Sequence, residues 1–169
     1  VRQPNGHLLD DLARHGVQPS DINIVIFTHL HGDHSGWATS IEMRHGVSLP
    51  TPTFANARYY VQRQEYEDAT HPNERTRNTY FPDNFVPLQQ HGVLELLDGD
   101  TPITPSVRVV HTPGHTAGHQ SIIVSPPHLF ISSFPHPFLL LGDLASFMIH
   151  FARLPWVTSY DVLPMLTID

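Results

Sequence analysis

The run Thr28-His29-Leu30-His31-Gly32-Asp33-His34, directly after the apolar stretch Ile22-Asn23-Ile24-Val25-Ile26-Phe27, constrains this chain more than any other feature. The apolar part is short and rich in β-branched residues, the composition of a buried strand. The strand ends at Thr28, so the polar side chains sit on the loop at its carboxyl end, where α/β folds collect functional groups. His29 and His31 are two positions apart, and an extended backbone points both the same way. Gly32 lets the chain turn before Asp33 and His34, and Ser35-Gly36-Trp37-Ala38 looks like the start of a helix. Three imidazoles and a carboxylate this close together are hard to explain by packing, because burying them without partners is costly. Imidazole is the commonest metal-ligating side chain, and carboxylate joins it readily at zinc. The run predicts a metal site. Its division into two pairs suggests two metals, about 3.5–4 Å apart and sharing one activated water.

Two further signals lie downstream. Thr112-Pro113-Gly114-His115-Thr116-Ala117-Gly118-His119 stands between the strand patterns Val107-Arg108-Val109-Val110 and Ser121-Ile122-Ile123-Val124. Pro113-Gly114 forces a tight turn, which presents His115 on a loop between strands. Phe138-Leu139-Leu140-Leu141-Gly142-Asp143 reads as a strand followed by a glycine and an acid. A Gly-Asp pair after a strand is by itself most often an ordinary turn. Beside the other two signals, Asp143 reads as a carboxylate bridging two metals. The scattered histidines His7, His15, His45, His71, His91, His128 and His136 read as ordinary, partly exposed polar groups.

Taken together, His29-Leu30-His31-Gly32-Asp33-His34, Thr112-Pro113-Gly114-His115 and Leu141-Gly142-Asp143 resemble the metallo-β-lactamase-fold hydrolase superfamily, in order and across most of the chain. The resemblance implies an α/β fold, an αββα sandwich. It implies that His29, His31 and His115 bind a first metal, that Asp33 and His34 bind a second, and that Asp143 bridges them. One further histidine is expected after a later strand. Only His150 follows Asp143, too early for that position. Few residues precede the first metal-bearing strand, where the fold normally opens with several strands. The reading is therefore one truncated domain over 1–169, incomplete at both ends, with weak binding of the second metal.

Composition narrows the function. The net charge is −7, with nine Lys and Arg, and no basic stripe is visible. That argues against a surface tracking nucleic-acid phosphates. The chain has no cysteine, so His and Asp must hold any metal, and the cysteine count does not decide the compartment; the cytoplasm is favoured. No segment reaches the roughly 18–20 apolar residues that span a bilayer. The expected partner is a small-molecule substrate, with no nucleic acid and no membrane; a homodimer stays open.

Elsewhere, Leu8, Leu9, Leu12 and Ala13 before Gly16 predict a short amphipathic helix over 7–15. A helix is expected over 35–44, ended by Gly46, and a strand over 53–61. A helix follows over 62–69, and another from Pro72 to Tyr80. Residues 81–91 are Pro-rich and read as an irregular cover over the site. A short strand is expected at 94–97, with a turn at Asp98-Gly99-Asp100. Between Ser125 and Pro137, prolines bracket Leu129-Phe130-Ile131-Ser132, which suggests a hairpin with an extended tip, inserted relative to similar proteins.

The expected chemistry is hydrolysis by hydroxide held between two zinc ions, whose charge brings a bound water's pKa to about 7. Asp33 would orient the hydroxide and accept its proton. Fe, Mn or Co suit the same ligands. Asn56-Ala57-Arg58-Tyr59-Tyr60-Val61 with Gln64-Glu65-Tyr66, and His150 with Leu154-Pro155-Trp156, resemble the lactonase and organophosphate- or ester-hydrolase branch. Such lactonases often place Tyr three residues after the bridging Asp. Ser146 stands there, leaving His150 and Tyr160 as the nearest substrate-facing donors. Phe81, Phe85 and Trp156 are either an apolar wall or packing. The alternatives are a phosphodiesterase or nuclease of the same fold, a glyoxalase II-like thioesterase, a redox protein (His31 stands where such relatives carry Glu), and a metal-free binding module. No serine-hydrolase elbow or P-loop is present.

Overall fold

The computed structural model describes residues 7–44, 46–125, 137–153 and 156–168. The expectations at Pro126-Pro127, Leu129 to Ser132, His136 and Leu154-Pro155 lie outside these. Helix α1 (Leu8–Arg14) carries Asp10 and Asp11 in its first turn and Arg14 in its last, each matched to the helix dipole. Strand β1 (Ile24–Ile26) follows. It delivers the histidine run, whose first helical turn, α2, covers Gly32–Ser35.

The helix expected over 35–44 is not there. Thr39–Arg44 is a strand, β2, paired antiparallel with β3 (Val47–Pro52). Arg44 pairs with Val47, and ahead of Val47 Gly46 takes φ 80°. That conformation belongs to a hairpin turn, and Gly46 closes a hairpin rather than stopping a helix.

Strand β4 (Arg58–Gln62) pairs in parallel with β1, and β5 (Leu94–Leu97) in parallel with β4, giving the order β1-β4-β5. Between β4 and β5 runs α3 (Arg63–Thr70). The helix expected from Pro72 to Tyr80 is absent. Asn73 Oδ1 accepts from the backbone N of Arg75 and Thr76 instead, a local bond that competes with helix propagation. Residues 81–91 are not an irregular cover. Pro82 opens a 3-10 turn (Pro82–Asn84), and Pro87 lies in the first turn of α4 (Val86–Gln90). Phe85 and Leu88 are wholly buried. The core gathers these two with Phe27, Leu30, Tyr59, Val61 and Ala69, so it lies between the parallel sheet and α3–α4.

The second sheet is antiparallel, ordered β6 (Thr101–Thr104), β7 (Val107–His111), β8 (Gln120–Val124) and β9 (Phe138–Leu140). Gln120 stitches the two sheets. Its Nε2 donates to Phe27 O at 2.7 Å, its backbone N to Thr28 O at 2.9 Å, and its Oε1 accepts from Gln62 Nε2 at 2.8 Å. The β1 end and the β7–β8 loop are thereby held side by side. After β9 come a 3-10 turn (Gly142–Leu144), α5 (Met148–Ala152) and α6 (Pro164–Ile168). No helix among the described residues is long and apolar enough to cross a membrane.

Candidate metal centre

Three stretches far apart in sequence meet at the carboxyl end of β1. His29 Nε2 lies 3.1 Å from His31 Nδ1, which lies 3.1 Å from His115 Nε2. These nitrogens form one group of potential ligand atoms, and His29, His34 and Asp143 form a second. Asp143 Oδ2 is 3.4 Å from His34 Nε2, 3.4 Å from His115 Nε2 and 4.0 Å from His29 Nε2, so it stands between the groups. Asp33, in the first turn of α2, is 3.6 Å from His34 Nε2 through Oδ2, and its side chain is 80% exposed. It lies at the open edge of the cluster. The structure does not bring His150 to these atoms. Among the described residues its ring partner is Phe147, at 5.7 Å between centroids. Phe85 is core, Phe81 and Trp156 are exposed, and Tyr160 is 69% exposed.

The outer atoms of the histidines are arranged to leave lone pairs inside. His29 Nδ1 is 3.1 Å from Thr28 Oγ1, and His115 Nδ1 is 3.3 Å from Asp161 Oδ1. An imidazole that donates through one nitrogen offers the other as an acceptor. His29 Nε2 and His115 Nε2 both face His31 Nδ1, and shared protons cannot satisfy all three, but a cation satisfies them together. His31 adds to this. Its Nε2 is buried without a hydrogen-bond partner among the described residues. The donor set is hard-to-borderline N and O, which suits zinc, iron, manganese or cobalt. The residues present therefore fit a metal.

Electrostatics keep His29 and His31 neutral. Burial, then the rings of His34, His31, His119 and His115, hold His29 far below the usual imidazole value. Burial and then His115 bring His31 down to about 4. Neutral imidazole is the ligating form, so the site is prepared to accept a cation near pH 7.

The sequence reading assigned no role to two residues here. His119 is fully buried, brought down to about 4 by burial first and His115 second. Its Nε2 accepts from the backbone N of Asp143 at 3.2 Å, and its Nδ1 lies 2.9 Å from Thr112 Oγ1. A Cβ on Gly142 would come within 2.8 Å of His119 Nε2, and Gly142 has φ 59°, so glycine is what lets Asp143 approach. The repeated Gly-His of the Thr112–His119 string was the available signal. Asp161 is buried behind His115 and receives Thr158 Oγ1 at 2.6 Å and Thr167 Oγ1 at 2.9 Å. No local pattern marks it, because it acts on a residue 46 positions away.

Parallel and antiparallel sheets that converge histidines and an acid from their strand-end loops define an α/β metal-site protein. The sequence profile of the Metallo-beta-lactamase superfamily matches residues 2–132, and the chain belongs to that superfamily. It is similar to an N-acyl homoserine lactonase of a Bacillus species, 35% identical over 117 residues, which cover 69% of this chain and 38% of that one. It also resembles the structure of a probable metal-dependent hydrolase from Staphylococcus aureus (TM-score 0.79, 28% identity, 98% of this chain and 53% of that one). An N-acyl homoserine lactone hydrolase with N-hexanoyl-L-homoserine bound at its catalytic metal centre superimposes with TM-score 0.67 at 28% identity, over 95% of this chain and 52% of that one. The chain thus spans from 38% to 53% of the length of these relatives.

Proposed function

We propose that this chain carries the metal-binding machinery of a dinuclear zinc hydrolase that opens small lactones or cleaves related esters. The observation that supports it most is the convergence of His29 Nε2, His31 Nδ1 and His115 Nε2 with their outer nitrogens tied or buried. His29, His31 and His115 would hold one ion. His34 and Asp33 would hold a second, with Asp143 between them. Bound divalent cations supply Lewis acidity at the reacting carbonyl and acidify water. The chain's own residues do the rest. Asp33, exposed at the open edge, accepts the proton of the attacking water at a carboxylate oxygen. His29 and His31, which burial holds below the usual imidazole value, do not compete for that proton. His150, in α5, is the candidate substrate-facing donor. The lactone class is supported by the lactonase relatives, and the chain's negative charge weighs against a phosphodiester substrate.

The test is a substrate panel on purified protein: an N-acyl homoserine lactone, an aryl ester and an activated phosphodiester, each before and after chelation and zinc return. Lactone or ester turnover, abolished by chelator and restored by zinc, is the expected result. Turnover of the phosphodiester in preference to both would overturn the substrate class.

A further inference from the structure

Glu65 is wholly buried in the first turn of α3, yet it belongs to neither ligand group. Its carboxylate receives three donors. Oε1 accepts from the backbone N of Leu30 at 2.9 Å and from Tyr80 Oη at 3.2 Å, and Oε2 accepts from Thr116 Oγ1. The positions of these donors are the point. Leu30 lies between His29 and His31, and Thr116 follows His115. Tyr80 pairs with His31 through a β-bridge, and the two rings are 5.0 Å apart. The loop that carries His115 lies against the start of α3 because residue 118 is glycine. A Cβ there would lie 2.2 Å from the backbone N of Glu65.

We propose that Glu65 is a positioning residue that locks the His29–His31 loop and the His115 loop to each other through Leu30, Tyr80 and Thr116, and so sets the spacing of the three nitrogens. The proposal rests on the reading that these nitrogens hold a metal. A carboxylate suits the task because it only accepts, and all three partners donate to it. Burial pushes the Glu65 carboxyl up while the bonds from Thr116, Leu30 and Tyr80 pull it back down, and the fixed directions of those bonds orient both loops at once. Burying an acid here is costly for stability. That cost is understandable if the return is geometry at the site, since outer groups that orient ligands typically change metal affinity by 10–100-fold.

The test measures Zn2+ affinity by competition with a chromophoric chelator on the wild type, Glu65→Met, Glu65→Gln and His115→Ala, with far-ultraviolet circular dichroism to establish folding. Glu65→Met removes every acceptor at similar volume, and its affinity is expected to fall about tenfold or more while the fold persists. Glu65→Gln keeps one oxygen for Leu30 and Tyr80 and offers an amide donor to Thr116, so it is expected to recover most of that loss. A carboxylate that serves the fold alone would shift the melting temperature and leave the affinity of folded protein unchanged, and that result overturns the proposal. Should Glu65→Met not fold, Thr116→Val cuts only the arm to the His115 loop. A several-fold loss of affinity there supports the brace, and no loss overturns it. Zinc binding that His115→Ala fails to weaken sinks the metal reading and the brace with it. Binding that is lost in His115→Ala and intact in the Glu65 variants sinks the brace alone.

Discussion

The imidazole half of the site and the carboxylate half are built on different foundations. His29, His31 and His115 stand on loops pinned to the parallel sheet and α3, over Leu30, Tyr59, Phe85 and Leu88, all wholly buried. Asp143 follows β9, whose residues Phe138, Leu139 and Leu140 are each about half exposed, and it precedes α5, at whose start Met148 and the preceding Phe147 are exposed. Its own side chain is 33% exposed, against 0% for His29. The difference teaches that the three imidazoles stand on the buried core, while Asp143 stands beside a more exposed strand.

The sharpest way to break this contrast is to delete a ligand on each side. His115→Ala is expected to abolish the tighter zinc equivalent and cut hydrolysis by about a thousandfold or more, as several kcal/mol of metal assistance implies. Asp33→Ala is expected to leave the tighter equivalent intact. A titration monitored by calorimetry checks both, and equal effects on the tighter equivalent would erase the distinction.

Packing separates the two regions next. Phe85→Ala should cost about 3–5 kcal/mol in denaturant unfolding, because it opens a cavity in the core. Leu139→Ala, on the exposed strand, should stay within about 0.5 kcal/mol. Similar losses at both would mean that β9 is as firmly supported as the core.

The core also has an alkaline signature. Burial raises Tyr59 from 10.0 to about 12. Its hydroxyl bonds to the backbone of Phe54 and Ala38. The unfolded chain loses this proton first, so the stability Tyr59 contributes is complete below pH 10 and drains away as pH climbs toward 12. The loss should be on the order of 2 kcal/mol. Denaturant midpoints across that window should fall for the wild type and fall less for Tyr59→Phe.

Asp161→Asn sharpens the contrast within the imidazole half. It should weaken zinc binding by about tenfold, because the His115 ring loses the charge that fixes its Nδ1 proton. The smallest effect is expected from His150→Ala, a rise in KM of a few-fold with kcat nearly unchanged, since uniform substrate binding alone would be lost. A larger fall in kcat would give His150 a role in the chemistry.

The strands and helices were legible where one period dominated. The β-branched run before Thr28 is β1, and the apolar spacing of residues 8–13 is α1. The errors have physical causes. Thr39 to Arg44 has helix formers at Glu42 and Met43, and only pairing with Val47–Pro52 makes it a strand. Residues 81–91 look irregular because of their prolines, yet Pro82 and Pro87 sit where helical turns tolerate them, and this let Phe85 and Leu88 enter the core. Thr101–Thr104 carried no strong alternation and joins the sheet through β7.

By itself the sequence determined which donors are available and where each is presented: His29 to His34 after one strand, His115 in a Pro-Gly turn, Asp143 after a glycine. These follow from local backbone preferences and residue chemistry, which reach only a few positions along the chain. Only the tertiary structure decided that His119 faces the backbone of Asp143, that Asp161 backs His115, and that Glu65 joins the two histidine loops. Those contacts link residues brought together by sheet pairing and core packing, and no short window of sequence contains both partners.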